Sequence, residues 1–77
     1  MKISVEVHGL SSEAIPGDGE AFEMDLAKGS DREELLMALG LDPAAGILVV
    51  VNGTVASKGR RLSDRDRVSL FAPVIGG

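Results

Sequence analysis

One stretch of helical pattern, residues 30–40, interrupts a chain whose other apolar residues recur mostly at every second position. That contrast limits the fold more than any other feature. A surface helix buries a stripe, and a strand of period two buries one face. One helix and several half-buried strands therefore predict two layers, with the helix covering one face of a sheet. Seventy-seven residues allow one such domain.

The elements follow in order. Lys2 to His8 sets Ile3, Val5 and Val7 on one face and Lys2, Ser4, Glu6 and His8 on the other. Residues 9–19 are rich in Gly, Ser, Pro and Asp and read as a long, mobile hairpin loop. Residues 20–26 alternate again, with Phe22, Met24 and Leu26 inward, so the first two strands form an antiparallel hairpin. Ser30-Asp31-Arg32-Glu33 reads as a capping box with Ser30 at the N-cap and Glu33 three residues on. The helix is predicted from Asp31 to Leu39, burying Leu35, Leu36 and Leu39 with help from Ala38. Gly40 supplies a left-handed C-terminal cap, and Pro43 blocks resumption.

Residues 47–51 are apolar at every position. This strand is either buried on both faces or leaves one face for a partner. Asn52-Gly53 predicts a two-residue turn into a short return strand, residues 54–56. Leu62 anchors a polar connection, and residues 67–71 form the last strand. Val68 and Leu70 point one way there, Ser69 and Phe71 the other.

Composition narrows the chemistry. The chain has no cysteine and one histidine, His8, which leaves little for a thiolate, a zinc site or a Ser-His-Asp triad. The net charge is −4, with two Phe and no Tyr or Trp, so no stacking, basic nucleic-acid surface is expected. No apolar run reaches the ~18–20 residues of a membrane span, and the start lacks a signal pattern, so a cytoplasmic location is expected. No acid–base pair, nucleophile or metal cluster stands out, and no bound cofactor is expected.

The C-terminus is where chemistry can sit. It ends in Gly76-Gly77, and two glycines at one terminus are roughly a 0.5% coincidence at average usage. Glycine lets a backbone lie in a narrow slot and leaves the terminal carboxylate unshielded. The preceding Phe71-Ala72-Pro73-Val74-Ile75 is apolar and semi-rigid, unlike a polar disordered tail. Residues 73–77 reach about 16–18 Å when extended. A folded domain over residues 1–72 and a flexible diglycine tail over residues 73–77 are expected. Arg65 and Arg67 either contact partner carboxylates or pair with Asp64 and Asp66, the second being preferred. Phe71 either folds over the sheet edge or joins half of residues 47–51 in an exposed, partner-binding patch.

The element order and the last residues resemble the MoaD/ThiS family of ubiquitin-like β-grasp sulfur carriers over the whole chain. The Leu-rich helix, Val51-Asn52-Gly53, and the run from Leu62 through Arg67-Val68 to Phe71 and Gly76-Gly77 carry the resemblance. It is nearest to the small subunit of molybdopterin synthase, whose members typically end in Phe, two prolines, an apolar residue, a variable residue and Gly-Gly. Ala72 departs from the first of those prolines. The resemblance implies an α+β fold of four to five strands and one helix, in a carrier protein that is not itself an enzyme. Gly77 would be adenylated with ATP by a ubiquitin-activating-like enzyme of MoeB/ThiF type. A cysteine desulfurase or rhodanese would then supply sulfur to make a thiocarboxylate. Pro73, Val74, Ile75 and Gly76 would enter a partner's active site, and Phe71, Arg65 and Arg67 would face the partner. That partner would be the large subunit of molybdopterin synthase or, alternatively, thiazole synthase. A modifier joined to proteins through Gly77, and a β-grasp interaction module without carrier chemistry, stay open.

Overall fold

The computed structural model describes residues 1–73. Five strands and one helix follow in the order β1 (Lys2–His8), β2 (Ala21–Asp25), α1 (Arg32–Ala38), β3 (Leu48–Val51), β4 (Thr54–Val55) and β5 (Arg67–Phe71). The sheet order is β2-β1-β5-β3-β4. β1 and β5 run parallel at its centre, and the other pairings are antiparallel. A hairpin, one crossing helix and a returning central strand make this the ubiquitin-like β-grasp fold, an α+β architecture.

The core lies between α1 and one sheet face. Ile3, Val5 and Val7 of β1, Val49 and Val51 of β3, and Val68 and Leu70 of β5 are buried against Leu35, Leu36 and Leu39. The predicted Ala38 contribution is absent, because Ala38 lies on the exposed side of the helix. The all-apolar run in β3 buries one face: Val49 and Val51 are covered, whereas Leu48 is 44% exposed.

The helix begins one residue later than the capping-box reading placed it. Asp31 is the N-cap, accepting from Glu34 N–H at 2.9 Å, and the Glu34 carboxylate accepts from Asp31 N–H. Ser30 is drawn away by tertiary pairing. Its carbonyl accepts from Leu62 N–H at 2.9 Å, its hydroxyl donates to Ala27 O, and Asp31 bridges to Arg61. Glu33 is thereby free to accept from Gly59 N–H at 2.6 Å and from the Arg32 guanidinium. At the other end Gly40 takes φ +74, as expected. Gly40 N–H donates to Met37 O and Leu41 N–H to Leu36 O, the paired bonds of a Schellman cap.

Residues 9–19 differ from the expectation of a free loop. Ile15 is buried in the core cluster, Ser12 Oγ donates to Leu39 O at 2.6 Å, and Asp18 accepts from Gly9 N–H. The loop therefore closes over the C-terminal end of the helix. Ile15, with Leu10 partly buried against the same core, and the Ser12 hydroxyl supply the anchors.

The cap register gives a direct test. Asp31→Ala should lower unfolding free energy by about 1 kcal/mol in urea titration. An unchanged midpoint would show that Asp31 does not cap the helix.

Candidate functional site

The sheet face away from α1 carries two chemistries. Outward residues of neighbouring strands fall into rows set by register. His8, Phe71 and Leu48 form one row across β1, β5 and β3. Glu6, Ser69, Val50 and Val55 form the next, continuing into β4. Phe71, Leu48 and Val55 are 36%, 44% and 64% exposed, so an apolar strip runs across the β5-β3-β4 end of this face. The His8 imidazole lies flat against Phe71, with ring centroids 5.0 Å apart and planes 9° from parallel. Offset or parallel stacking of this kind contributes about 0.5–1.5 kcal/mol beyond buried area.

The chain leaves the sheet at this row. Ala72 N–H donates to His8 O at 3.0 Å and so adds one bond to the β1–β5 ladder. Gly9 allows the close passage of Ala72, since a Cβ on Gly9 would stand 3.0 Å from Ala72 Cβ. Pro73 passes beside Gly46. The exit is thus a short, directed continuation of β5 beside the apolar strip.

The opposite end of β5 is polar. Arg67 lies in a groove with Lys2, Ser4, Glu23 and Arg65. The expected pairing of Arg67 with Asp66 does not occur. Asp66 is buried and accepts from Asn52 Nδ2 at 2.9 Å and Ser63 N–H at 2.7 Å. The Asn52 side chain in turn accepts from Arg67 N–H, which ties the Asn52-Gly53 turn to the start of β5. Both turn residues take positive φ, +50 and +82, as a type I′ hairpin requires. Arg65 and Asp64 approach to 3.9 Å on the exposed surface, which agrees with the preferred in-chain pairing for that residue. Arg65 also takes φ +69, a conformation disfavoured by about 1–2 kcal/mol for a side-chain-bearing residue, and its N–H is held by Lys2 O at 2.7 Å.

A larger cleft of about 590 Å³, between Met1, Gly29 and Leu62, lies at the start of β1 and away from the exit.

The model of the ThiS family matches residues 10–77. The chain belongs to the ThiS family. A search of the curated proteins finds no match. Among solved structures, the crystal structure of SAMP1 from Haloferax volcanii is similar over 100% of both chains, with a TM-score of 0.68 and 22% identity. That likeness agrees with the β-grasp fold derived from the strand order.

In this ThiS-family chain the structure brings some expected site residues together and separates others. Phe71 is exposed on the open face, and Pro73 is half-buried at the exit. Arg65 and Arg67 are exposed, but at the far end of β5 from Phe71. Val74, Ile75, Gly76 and Gly77 lie outside the described residues. Leu48 belongs to the half of residues 47–51 expected beside Phe71, whereas His8, Val55 and Lys2 join the site without having been assigned to it. Period-two alternation placed His8 outward, but nothing in the sequence said that β5 would run beside β1 in parallel and bring Phe71 onto it.

Two outcomes follow from this geometry. Ala72→Pro removes the N–H that bonds His8 O and should destabilise the fold by about 1 kcal/mol in denaturant titration. Asp64 gives the second. Lys2 N–H donates to its carboxylate at 2.7 Å and holds its pKa below the ordinary 3.8, with Arg65, the terminal ammonium and Lys2 adding attraction. A depressed carboxylate stabilises the fold above its unfolded pKa, and the contribution fades as pH falls through the lower folded value. Asp64→Asn should therefore flatten the loss of thermal stability below about pH 4, and an unchanged acid limb would exclude this contribution.

Proposed function

We propose that this chain is a sulfur carrier, activated by adenylation of the Gly77 carboxylate and loaded as a thiocarboxylate. The observation that carries the reading is the extent of the family match, which runs through to Gly76-Gly77. The chemistry is consistent with that end. A C-terminal carboxylate titrates near ~3.5 and is a poor electrophile when ionised. Attack of its oxygen on the α-phosphorus of ATP, with loss of pyrophosphate, makes an acyl adenylate. The terminal sulfur of a persulfide on a cysteine desulfurase or rhodanese then displaces AMP at the acyl carbon to give an acyl disulfide. A second thiol attacks the donor sulfur of that S–S bond, forming a disulfide with it and releasing the thiocarboxylate. The activating enzyme is of MoeB/ThiF type, and catalysis belongs to the partners.

The folded part supplies a docking face and an aimed exit. Phe71 and the apolar strip lie immediately before the tail, and Arg65 and Arg67 lie on the same side of the molecule. Pro73, Val74, Ile75 and Gly76 then thread the tail into the partner. The acceptor we propose is the large subunit of molybdopterin synthase, on the pattern from Phe71 to Gly77. The name of the matched family favours thiazole synthase as the second reading. Transfer of sulfur from loaded protein to each acceptor in turn distinguishes them. Among the described residues no helix is long and apolar enough to cross a membrane. The location we propose is cytoplasmic.

Incubation with adenylating enzyme, ATP and a sulfur donor should raise the intact mass by one oxygen-to-sulfur exchange. Deletion of Gly77 should abolish the exchange and leave thermal stability unchanged. A deletion variant that still loads sulfur would overturn the proposal.

A further inference from the structure

The cleft at the start of β1 belongs neither to the exit nor to the open face. Met1 and Leu62 form its apolar wall, beside Gly29 and Ser63. A Cβ on Gly29 would meet nothing within 4 Å, so the backbone there lies open. The volume of about 590 Å³ falls within the ~300–1,000 Å³ of sites that hold small ligands. Lys28 and Arg61 stand at the rim, and neither has a carboxylate at ion-pair distance among the described residues. The Met1 ammonium adds positive charge and donates once, to Leu26 O at 2.7 Å. Asp64 is the carboxylate among the lining residues, and it already accepts from Lys2 N–H and faces Arg65. The cleft thus sets an apolar wall beside unpaired positive charge.

A slim apolar peptide ending in a carboxylate fits that pairing, and this chain carries one in Pro73-Val74-Ile75-Gly76-Gly77. Successive side chains of an extended peptide point to opposite sides. With Ile75 against Met1 and Leu62, the Gly77 carboxylate falls about 7 Å further on, at the distance of the rim cations. The chain's own cleft is out of reach. β1 alone, seven residues and about 20 Å long, separates the cleft from the exit. β5 runs parallel to β1 and sends the tail away from the cleft, and residues 73–77 span about 16–18 Å at full stretch. The occupant is therefore the tail of a second copy. Charge favours that alignment. No Lys or Arg occurs between Lys2 and Lys28, and Glu6, Asp18 and Glu20 lie on β1 and on the loop tied to Gly9 beside the exit. The acidic exit of one copy meets the basic cleft of the next.

We infer that the C-terminal tail of one copy docks in the cleft of another, its carboxylate on Lys28 and Arg61 and its Ile75 against Met1 and Leu62. The Arg61 guanidinium takes a carboxylate through two parallel hydrogen bonds, which fixes direction as well as attraction. The contact is heterologous: each copy offers a tail to one neighbour and a cleft to another, so copies associate head to tail. The contact is small, so association is weak and grows with concentration. A carboxylate held in the cleft is withheld from every other partner. The inference needs the free Gly77 carboxylate but not the carrier chemistry, and its test contains no activating enzyme.

Sedimentation velocity of the full chain at rising concentration reads the association. The wild type should become heavier than a monomer, and less so at high salt. Lys28→Glu with Arg61→Glu reverses the rim, and Ile75→Asp sets a charge against the apolar wall. Each should associate about tenfold more weakly or worse. An equimolar mixture of the two should form dimers and stop there, because one supplies only a tail and the other only a cleft. Thermal unfolding checks the fold of each variant. A peptide of residues 71–77, titrated into dilute wild-type chain, should shift the amide resonances of Gly29 and residues 61–64. The same peptide ending in an amide should bind about tenfold more weakly or worse. That comparison uses no variant, so it decides the matter even where the double reversal fails to fold. A wild type that stays monomeric and ignores the peptide overturns the inference. A mixture without dimers, or equal binding of acid and amide, overturns it too. Association undiminished in both variants would place the contact elsewhere, on a face such as the apolar strip, and would equally overturn it.

Discussion

The parallel pairing of β1 with β5 is the constraint on which the rest of the structure depends. It joins the first strand of the chain to the last, with Val5 opposite Val68 and Val7 opposite Leu70. All four are buried beneath the helix. Parallel neighbours cannot be joined by a tight turn, so everything between them must serve as a crossover. β2 occupies the free edge of β1, and β3 with β4 extends the sheet beyond β5. The same pairing sets Phe71 beside His8 and lets Ala72 continue the ladder. The direction in which the chain leaves the domain is therefore set by the core.

Two small hydrogen-bonded devices hold the ends of this arrangement. At the base of β5, Asp66 satisfies Asn52 and Ser63, and Asn52 satisfies the Arg67 backbone. A buried carboxylate needs such partners, because an unpaired one would be expensive to desolvate. Meeting that need turns Asp66 inward and leaves the Arg67 guanidinium outside. At the top of the helix, the Schellman cap and the Ser12 hydroxyl share the last carbonyls, and Ile15 seals the end of the core. A domain this small has a modest core, so each such anchor is a sizeable part of its stability.

In the proposed carrier, the folded platform is distinct from the terminal group that would carry chemistry. The platform buries its apolar residues on one sheet face and leaves a mixed apolar and cationic surface on the other. In the proposed carrier, the platform is recognised and the terminal carboxylate reacts. In that proposal docking energy would come from the sheet face, and a glycine end would be slim enough for more than one active site.

Local pattern carried much of this. Alternation in β1, β2 and β5 depends on one residue's neighbours two positions away, and it gave the strands and their inward residues. Leu35, Leu36 and Leu39, the Gly40 cap and the Asn52-Gly53 turn are local in the same sense. The terminal diglycine, with the apolar residues before it, was readable without any structure. The helix start was not, because Ser30 has good capping chemistry and only its pairing with Leu62 takes it away. Nor was the closure of residues 9–19, since Leu10 and Ile15, five positions apart in a mostly polar stretch, follow neither a strand nor a helix period. The His8–Phe71 stack and the open Arg67 rest on contacts between distant parts of the chain. The sequence alone determined which residues turn inward and where the terminal diglycine lies. Only tertiary structure decided which outward residues share a surface, because strand order and register bring together side chains that no local spacing relates.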